Sequence, residues 1–148
     1  MTIEEFTEVL RDKGYSYERL NDKIVVTSGS YVNLESLKTL PSNIEFNNGG
    51  NVYLTTLKTI PSGVKFNNKE NVVLQSLKTL PSGVEFNNSD HVYLAGLQTI
   101  HPDARFNNRG VVYSGLFPGT FSDSKLAIKD VNNTKLLNVM IKKSIFAV

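Results

Sequence analysis

At 148 residues, with 40% hydrophobic and 20% charged side chains, the chain has the composition of one folded domain. A formal net charge of +2 gives no electrostatic case for a nucleic-acid partner and none against one. With no cysteine, disulfides, zinc–thiolate sites and thiol chemistry are excluded, and the chain suits a reducing compartment.

Residues 1–30 read as an N-terminal cap. Thr2-Ile3-Glu4-Glu5 has capping-box spacing, a hydroxyl at N-cap and a carboxylate at N3. Ile3, Phe6, Val9 and Leu10 fall on one helical face and Gly14 supplies the stop, so the spacing predicts a helix from about Ile3 to Lys13. Tyr15 to Leu20 and Lys23 to Thr27 predict a β-hairpin turning at Asn21-Asp22. The opening MTIEEFTEVL is acidic and amphipathic, unlike the basic-then-apolar layout of a signal peptide. No apolar run approaches the ~18 residues that cross a bilayer. The expectation is a cytoplasmic protein with no membrane partner, whose sequons at Asn87 and Asn132 stay unmodified.

The next stretch, 31–115, repeats itself every 20 residues. Aligned, it reads VNLESLKTLPSNIEFNNGGN, VYLTTLKTIPSGVKFNNKEN, VVLQSLKTLPSGVEFNNSDH and VYLAGLQTIHPDARFNNRGV, with a fifth copy starting at Val112-Tyr113. So strict a period predicts a solenoid of stacked, equivalent coils. In the second copy the constant apolar positions are Val52, Leu54, Leu57, Ile60, Val64 and Phe66. Val52/Leu54 and Val64/Phe66 have strand spacing, with both side chains of each pair inward. Leu57 and Ile60 suit a tighter turn or a short extended segment between the strands, and Pro61-Ser62-Gly63 and Asn67-Asn68 make corners. Two strands per coil predict two parallel ladders with a rung spacing of ~4.8 Å. Phe46, Phe66, Phe86 and Phe106 should then stack inside, and Asn47, Asn67, Asn87 and Asn107 should form an amide ladder at the turn.

The fourth copy replaces Pro-Ser-Gly-Val-Glu by His101-Pro102-Asp103-Ala104-Arg105 and reads as an edge coil. Residues 116–148 read as a C-terminal cap, with a break at Leu116-Phe117-Pro118-Gly119 and a strand from Lys125 to Val131. Leu136, Leu137, Met140, Ile141 and Ile145 then share one face of a helix capped at Asn133 or Thr134. That helix either covers the last coil or docks on another protein or a second copy, with Lys135, Lys142 and Lys143 at a candidate interface.

The Leu-x-x-Leu-Pro-x-x-Val piece resembles the leucine-rich repeats of bacterial effector proteins. Those repeats also need a Leu-x-Leu-x-x-Asn-x-Leu run, and here no asparagine stands between Leu54 and Ile60. The expected fold is therefore mainly β, a compact, leucine-rich-repeat-like parallel β-solenoid. The whole block, VYLxxLxxLPxGVxFNN, resembles repeats in small proteins carried by phages and prophages. By analogy, the resemblance implies a phage-encoded protein acting on a host defence system, as anti-CRISPR inhibitors do.

Catalysis finds little support. His91 and His101 occupy different positions in adjacent copies, no serine is signposted as a nucleophile and no phosphate loop is present. Metal ligation by the two histidines with one aspartate is weaker than a reading as surface histidines in turns. No enzyme activity, metal or cofactor is expected.

Binding fits better, because a solenoid repeats each exposed position as a row. The residue between the inward strand positions gives Asn33, Tyr53, Val73, Tyr93 and Tyr113. Tyrosine offers large contact area at low entropic cost, although it also favours strands for ordinary packing reasons. A second row, Lys38, Lys58 and Lys78 followed by Gln98, suits an anionic partner or a solvated face that resists edge pairing. The Glu45, Lys65, Glu85, Arg105 row is mixed in sign. These rows predict a protein-binding module whose first partner is a host protein or complex, homodimerisation being open. The alternatives are nucleic-acid binding through the lysines and a glycan-binding virion component.

Overall fold

A computed structural model describes residues 1–114; the expected cap at 116–148, with Lys135, Lys142 and Lys143, lies outside the described residues. Helix α1 spans Ile3–Asp12 and begins with the capping box. The Glu5 N–H donates to Thr2 Oγ1 at 3.1 Å and the Thr2 N–H to Glu5 Oε2 at 3.4 Å. Lys13 is the C-cap, and Gly14 at φ +75° ends the helix in the left-handed region that favours glycine. Phe6 and Leu10 are fully buried, with Ile3 and Val9 packed beside them.

Strands β1 (Tyr17–Leu20) and β2 (Lys23–Val26) form the hairpin, turning at Asn21 with φ +59°. The hairpin is more than a cover. Strand β2 pairs in parallel with β4 (Ile44–Phe46), setting Ile24 opposite Ile44 and Val26 opposite Phe46, so it is the first rung of the solenoid. Tyr15 closes a second edge: its hydroxyl accepts from the Asn33 N–H at 2.9 Å, on β3 (Val32–Asn33), the end strand of its sheet.

The coils stack as a parallel β-solenoid of about five turns. One side is a parallel sheet of β3, β5 (Val52–Tyr53), β7 (Val72–Val73), β10 (Val92–Leu94) and β13 (Val112–Ser114). A second continues β2 and β4 through β6 (Lys65–Phe66), β9 (Glu85–Phe86) and β12 (Arg105–Phe106). Register is locked at one repeat, as in Val52 opposite Val72 and Phe66 opposite Phe86. The expected two ladders are joined by a third side. Strands β8 (Thr79–Leu80) and β11 (Thr99–Ile100) pair there, and the Thr99 hydroxyl bonds to that of Thr79 at 3.1 Å. Gly96 permits the approach, because a Cβ on it would lie 2.6 Å from the Gln75 carbonyl oxygen.

All six apolar positions of the second coil are buried. The phenylalanines stack as expected, with centroids 5.3, 5.0 and 5.1 Å apart and planes within 11° of parallel. The outer asparagine ladder starts one coil later than expected. Asn107 donates to Asn87 and Asn87 to Asn67, but Asn67 donates to Glu45 Oε1 at 2.8 Å, not to Asn47.

The second asparagine of each pair turns inward and is buried: Asn48, Asn68, Asn88 and Asn108. Each Nδ2 feeds backbone carbonyls at the corner; for Asn88 these are Glu70, Asp90 and His91, at 3.0–3.1 Å. The corresponding Oδ1 atoms are buried with no hydrogen-bond partner among the described residues. The corner thus needs the amide as a donor, at the cost of an idle acceptor. Asn88→Asp, which sets carboxylate oxygens against three carbonyls, should destabilise by roughly 3 kcal/mol or more. Asn87→Asp, exposed one residue earlier, should cost about 1 kcal/mol or less. Denaturant unfolding of the two variants checks the contrast.

Candidate protein-binding face

The five-stranded sheet aligns Asn33, Tyr53, Val73, Tyr93 and Tyr113 as Cα partners on successive rungs. The row is half-buried from Asn33 to Tyr93, and only Tyr113 is exposed, at 36%. It is therefore less open than its sequence pattern suggests, because neighbours on adjacent rungs cover one another. Tyr93 and Tyr113 stack at 5.0 Å with planes 6° apart. Tyr31, 55% exposed, meets the edge of Tyr53 at 6.5 Å and extends the aromatic surface at the N-terminal end. Partial burial raises the Tyr93 phenol above its ordinary pKa, helped by Tyr113 and Asp90.

A further row fixes the stripe along one flank. Asn51 and Asn71 accept the backbone N–H of the residue one coil on, Asn71 and His91, through Oδ1 at 2.8 and 2.9 Å. His91 continues the row with Nδ1, which accepts the Val111 N–H at 2.8 Å. That bond leaves the ring proton on Nε2, 3.3 Å from Asp90 Oδ1. His91 is thus part of the inter-coil bonding, not a free surface histidine. The signal for this row was the asparagine before the Val-x-Leu strands of the second and third coils, with histidine at the same place in the fourth.

Between Tyr53 and Tyr93 the small Val73 side chain leaves an open groove of about 400 Å³. Asn51 and Asn71 line one part, and Thr55, Gln75 and Glu35 another. A neighbouring groove of about 570 Å³ runs past Tyr31, Asn33 and Tyr53 to Glu70. No protein-family model, curated protein or solved structure matches the chain.

The other two sides differ in character. On the six-stranded sheet members of the mixed-sign row are paired, Glu45 with Lys23 of the hairpin at 2.6 Å and Lys65 with Glu85 at 3.4 Å. Burial opposes ionisation of Glu45, but Lys23, with Asn67 and Lys65, holds its carboxyl below the ordinary value. Lys38, Lys58 and Lys78 are all exposed where the third side begins, Lys78 donating its N–H to the Lys58 carbonyl at 3.1 Å. The lysine row and the tyrosine row therefore lie on different sides of the coil.

Among the described residues, no three histidine, aspartate or glutamate side chains gather to hold a metal ion. Nor is any described helix long and apolar enough to cross a membrane. His101 and Asp103 do meet, Nδ1 to Oδ1 at 2.7 Å, and rebuild the altered corner of the fourth coil. Asp103 accepts from the Gly83 N–H at 2.9 Å and from Ser82 Oγ at 3.2 Å, tying that corner to the coil below. The Gly83 bond, outweighing a burial penalty and aided by His101 and Ser82, holds the Asp103 carboxyl below its ordinary pKa. A depressed folded-state pKa stabilises above the unfolded value, near 4, and that gain disappears as pH falls through the folded value. The difference in Tm between the parent and Asp103→Ala should be present at neutral pH and close in acid. A difference unchanged well below the carboxylate range would remove the charge from the account.

Proposed function

We propose that the protein is a non-enzymatic binding module that captures another protein on its tyrosine face. The observation that carries this reading is the distribution of polar satisfaction over the three sides. On the six-stranded side Lys23 pairs with Glu45 and Lys65 with Glu85, and the turns consume their asparagines in ladders. The tyrosine side presents aromatic area with two adjoining grooves and mixed polar groups around them. Rigid aromatic anchors with a polar rim suit a protein interface, where they bury large area at little side-chain entropy. Because the coils hold each other in register, the anchors are pre-positioned and little ordering cost falls on binding.

The likeness of the repeats to phage and prophage proteins makes a bacterial protein the first partner to seek, and an inhibitor of a host defence complex the first role to test. Affinity capture from nuclease-treated bacterial lysate, washed at low and high salt, should recover one stoichiometric protein at both. The combined Tyr53→Ala, Tyr93→Ala, Tyr113→Ala variant should lose it while unfolding in one cooperative transition. Retention of the partner by the folded triple variant overturns the tyrosine face. Recovery only without nuclease, and only at low salt, points instead to nucleic acid on Lys38, Lys58 and Lys78.

A further inference from the structure

The groove over Val73 is an interruption in an aromatic row, and its dimensions follow from the repeat. Val73 is the Cα partner of Tyr53 on one rung and of Tyr93 on the next. Tyr93 and Tyr113, one rung apart, stack at 5.0 Å. Tyr53 and Tyr93 are two rungs apart, roughly 10 Å, so one planar group entering over Val73 has a tyrosine on each side at stacking distance.

The lining restricts what that group is. Glu35 borders this groove and Glu70 the adjoining one, and neither groove is lined by a lysine or arginine. Asp90 lies beside His91, whose ring meets Tyr93 edge-on at 6.1 Å. Glu35 is thus the one charged residue lining this groove, and a negative charge there disfavours a phosphate-bearing base. Thr55 and Gln75 add side-chain oxygens at the opening, whereas the Asn51 and Asn71 oxygens already accept the Asn71 and His91 N–H groups. An aromatic side chain would stack but bring no charge to Glu35 and few donors to Thr55 and Gln75. A planar cation with N–H donors round its edge uses the stacking faces, the carboxylate and the acceptors together.

We propose that the groove over Val73 takes the guanidinium group of an arginine presented by the partner protein, between Tyr53 and Tyr93, with Glu35, which borders the groove from the coil before Tyr53, attracting it through space. This deepens the protein-binding reading and rests on it.

The test titrates the intact protein with N-acetyl-arginine methylamide, following the Val73 methyl and tyrosine ring resonances by NMR. Saturable shifts at Val73, Tyr53 and Tyr93 are expected, with the lysine and tyrosine analogues and uridine monophosphate each weaker by about tenfold or more. Glu35→Gln, exposed and neutral to the fold, should weaken the arginine probe several-fold and flatten its salt dependence. Val73→Tyr restores the missing rung and should abolish probe binding with Tm preserved. Absence of saturable shifts, or equal or tighter binding of the tyrosine analogue or the nucleotide, overturns the proposal. A folded Val73→Tyr protein that still captures its partner from lysate refutes the arginine slot yet leaves the tyrosine face standing. Loss of the partner by the alanine triple variant is a separate result that tests the face itself.

Discussion

Everything in this molecule depends on hydrogen bonds between coils at a fixed offset. The N–H groups of Val32, Val52, Val72 and Val92 donate to the carbonyls of Asn51, Asn71, His91 and Val111, each at 2.8–3.0 Å. The N–H groups of Asn67, Asn87 and Asn107 donate back to Phe46, Phe66 and Phe86, each at 2.7 Å. A short strand has too few ladder bonds to persist alone, so each coil is ordered by its neighbours. The consequence is chemical as well as mechanical. Whatever residue a position carries, it meets the same position of the next coil. Phenylalanine profits by stacking and asparagine by amide pairing, whereas like charges repel across ~4.8 Å. The Glu45, Lys65, Glu85 row resolves that conflict by alternating sign.

The period made most of this legible in the sequence. Six apolar positions per coil specified an interior, and their pairwise spacing specified two strands. The N-terminal capping box was readable because its hydroxyl and carboxylate act within one turn of helix. Other features arise between coils and have no local signature. Thr79-Leu80 pairs with Thr99-Ile100 only because the two coils stack, and Thr-Leu alone does not announce a strand. The hairpin's service as first rung was likewise hidden, since Lys23 to Val26 carries no repeat motif. The inner asparagine was legible in principle. Strand alternation from a buried Phe66 puts Asn67 outside and Asn68 inside, but two adjacent asparagines disguise which one the corner requires.

The candidate face was only half readable. The tyrosine row followed from the period, and the structure keeps it in register while covering more of it than alternation suggests. The grooves were not readable. Glu35 belongs to the first coil, Thr55 to the second and Gln75 to the third, and only stacking brings them to one opening. His91 shows the same limit: beside Asp90 it looks like a surface histidine, but its Nδ1 stands in for an asparagine oxygen in an inter-coil ladder.

In a repeating structure the departures from the repeat carry the most information, and the three largest here differ in cause. His101-Pro102-Asp103 replaces a corner and has a structural explanation, because Asp103 bonds back to Gly83 and Ser82 of the preceding coil. Gln98 ends the lysine row where its N–H donates to the Lys78 carbonyl and sets it directly against that residue, which relieves one like-charge contact. Val73 has no such explanation. Its neighbours on both rungs are tyrosines, and Tyr93 with Tyr113 shows that adjacent rungs accept stacked rings in this sheet. A tyrosine at this position would complete an aromatic ladder from Tyr53 to Tyr113. The valine gives up that stacking and opens the groove that Glu35, Thr55 and Gln75 border. A residue whose substitution costs packing and creates a lined opening is better explained by what enters the opening than by the fold around it.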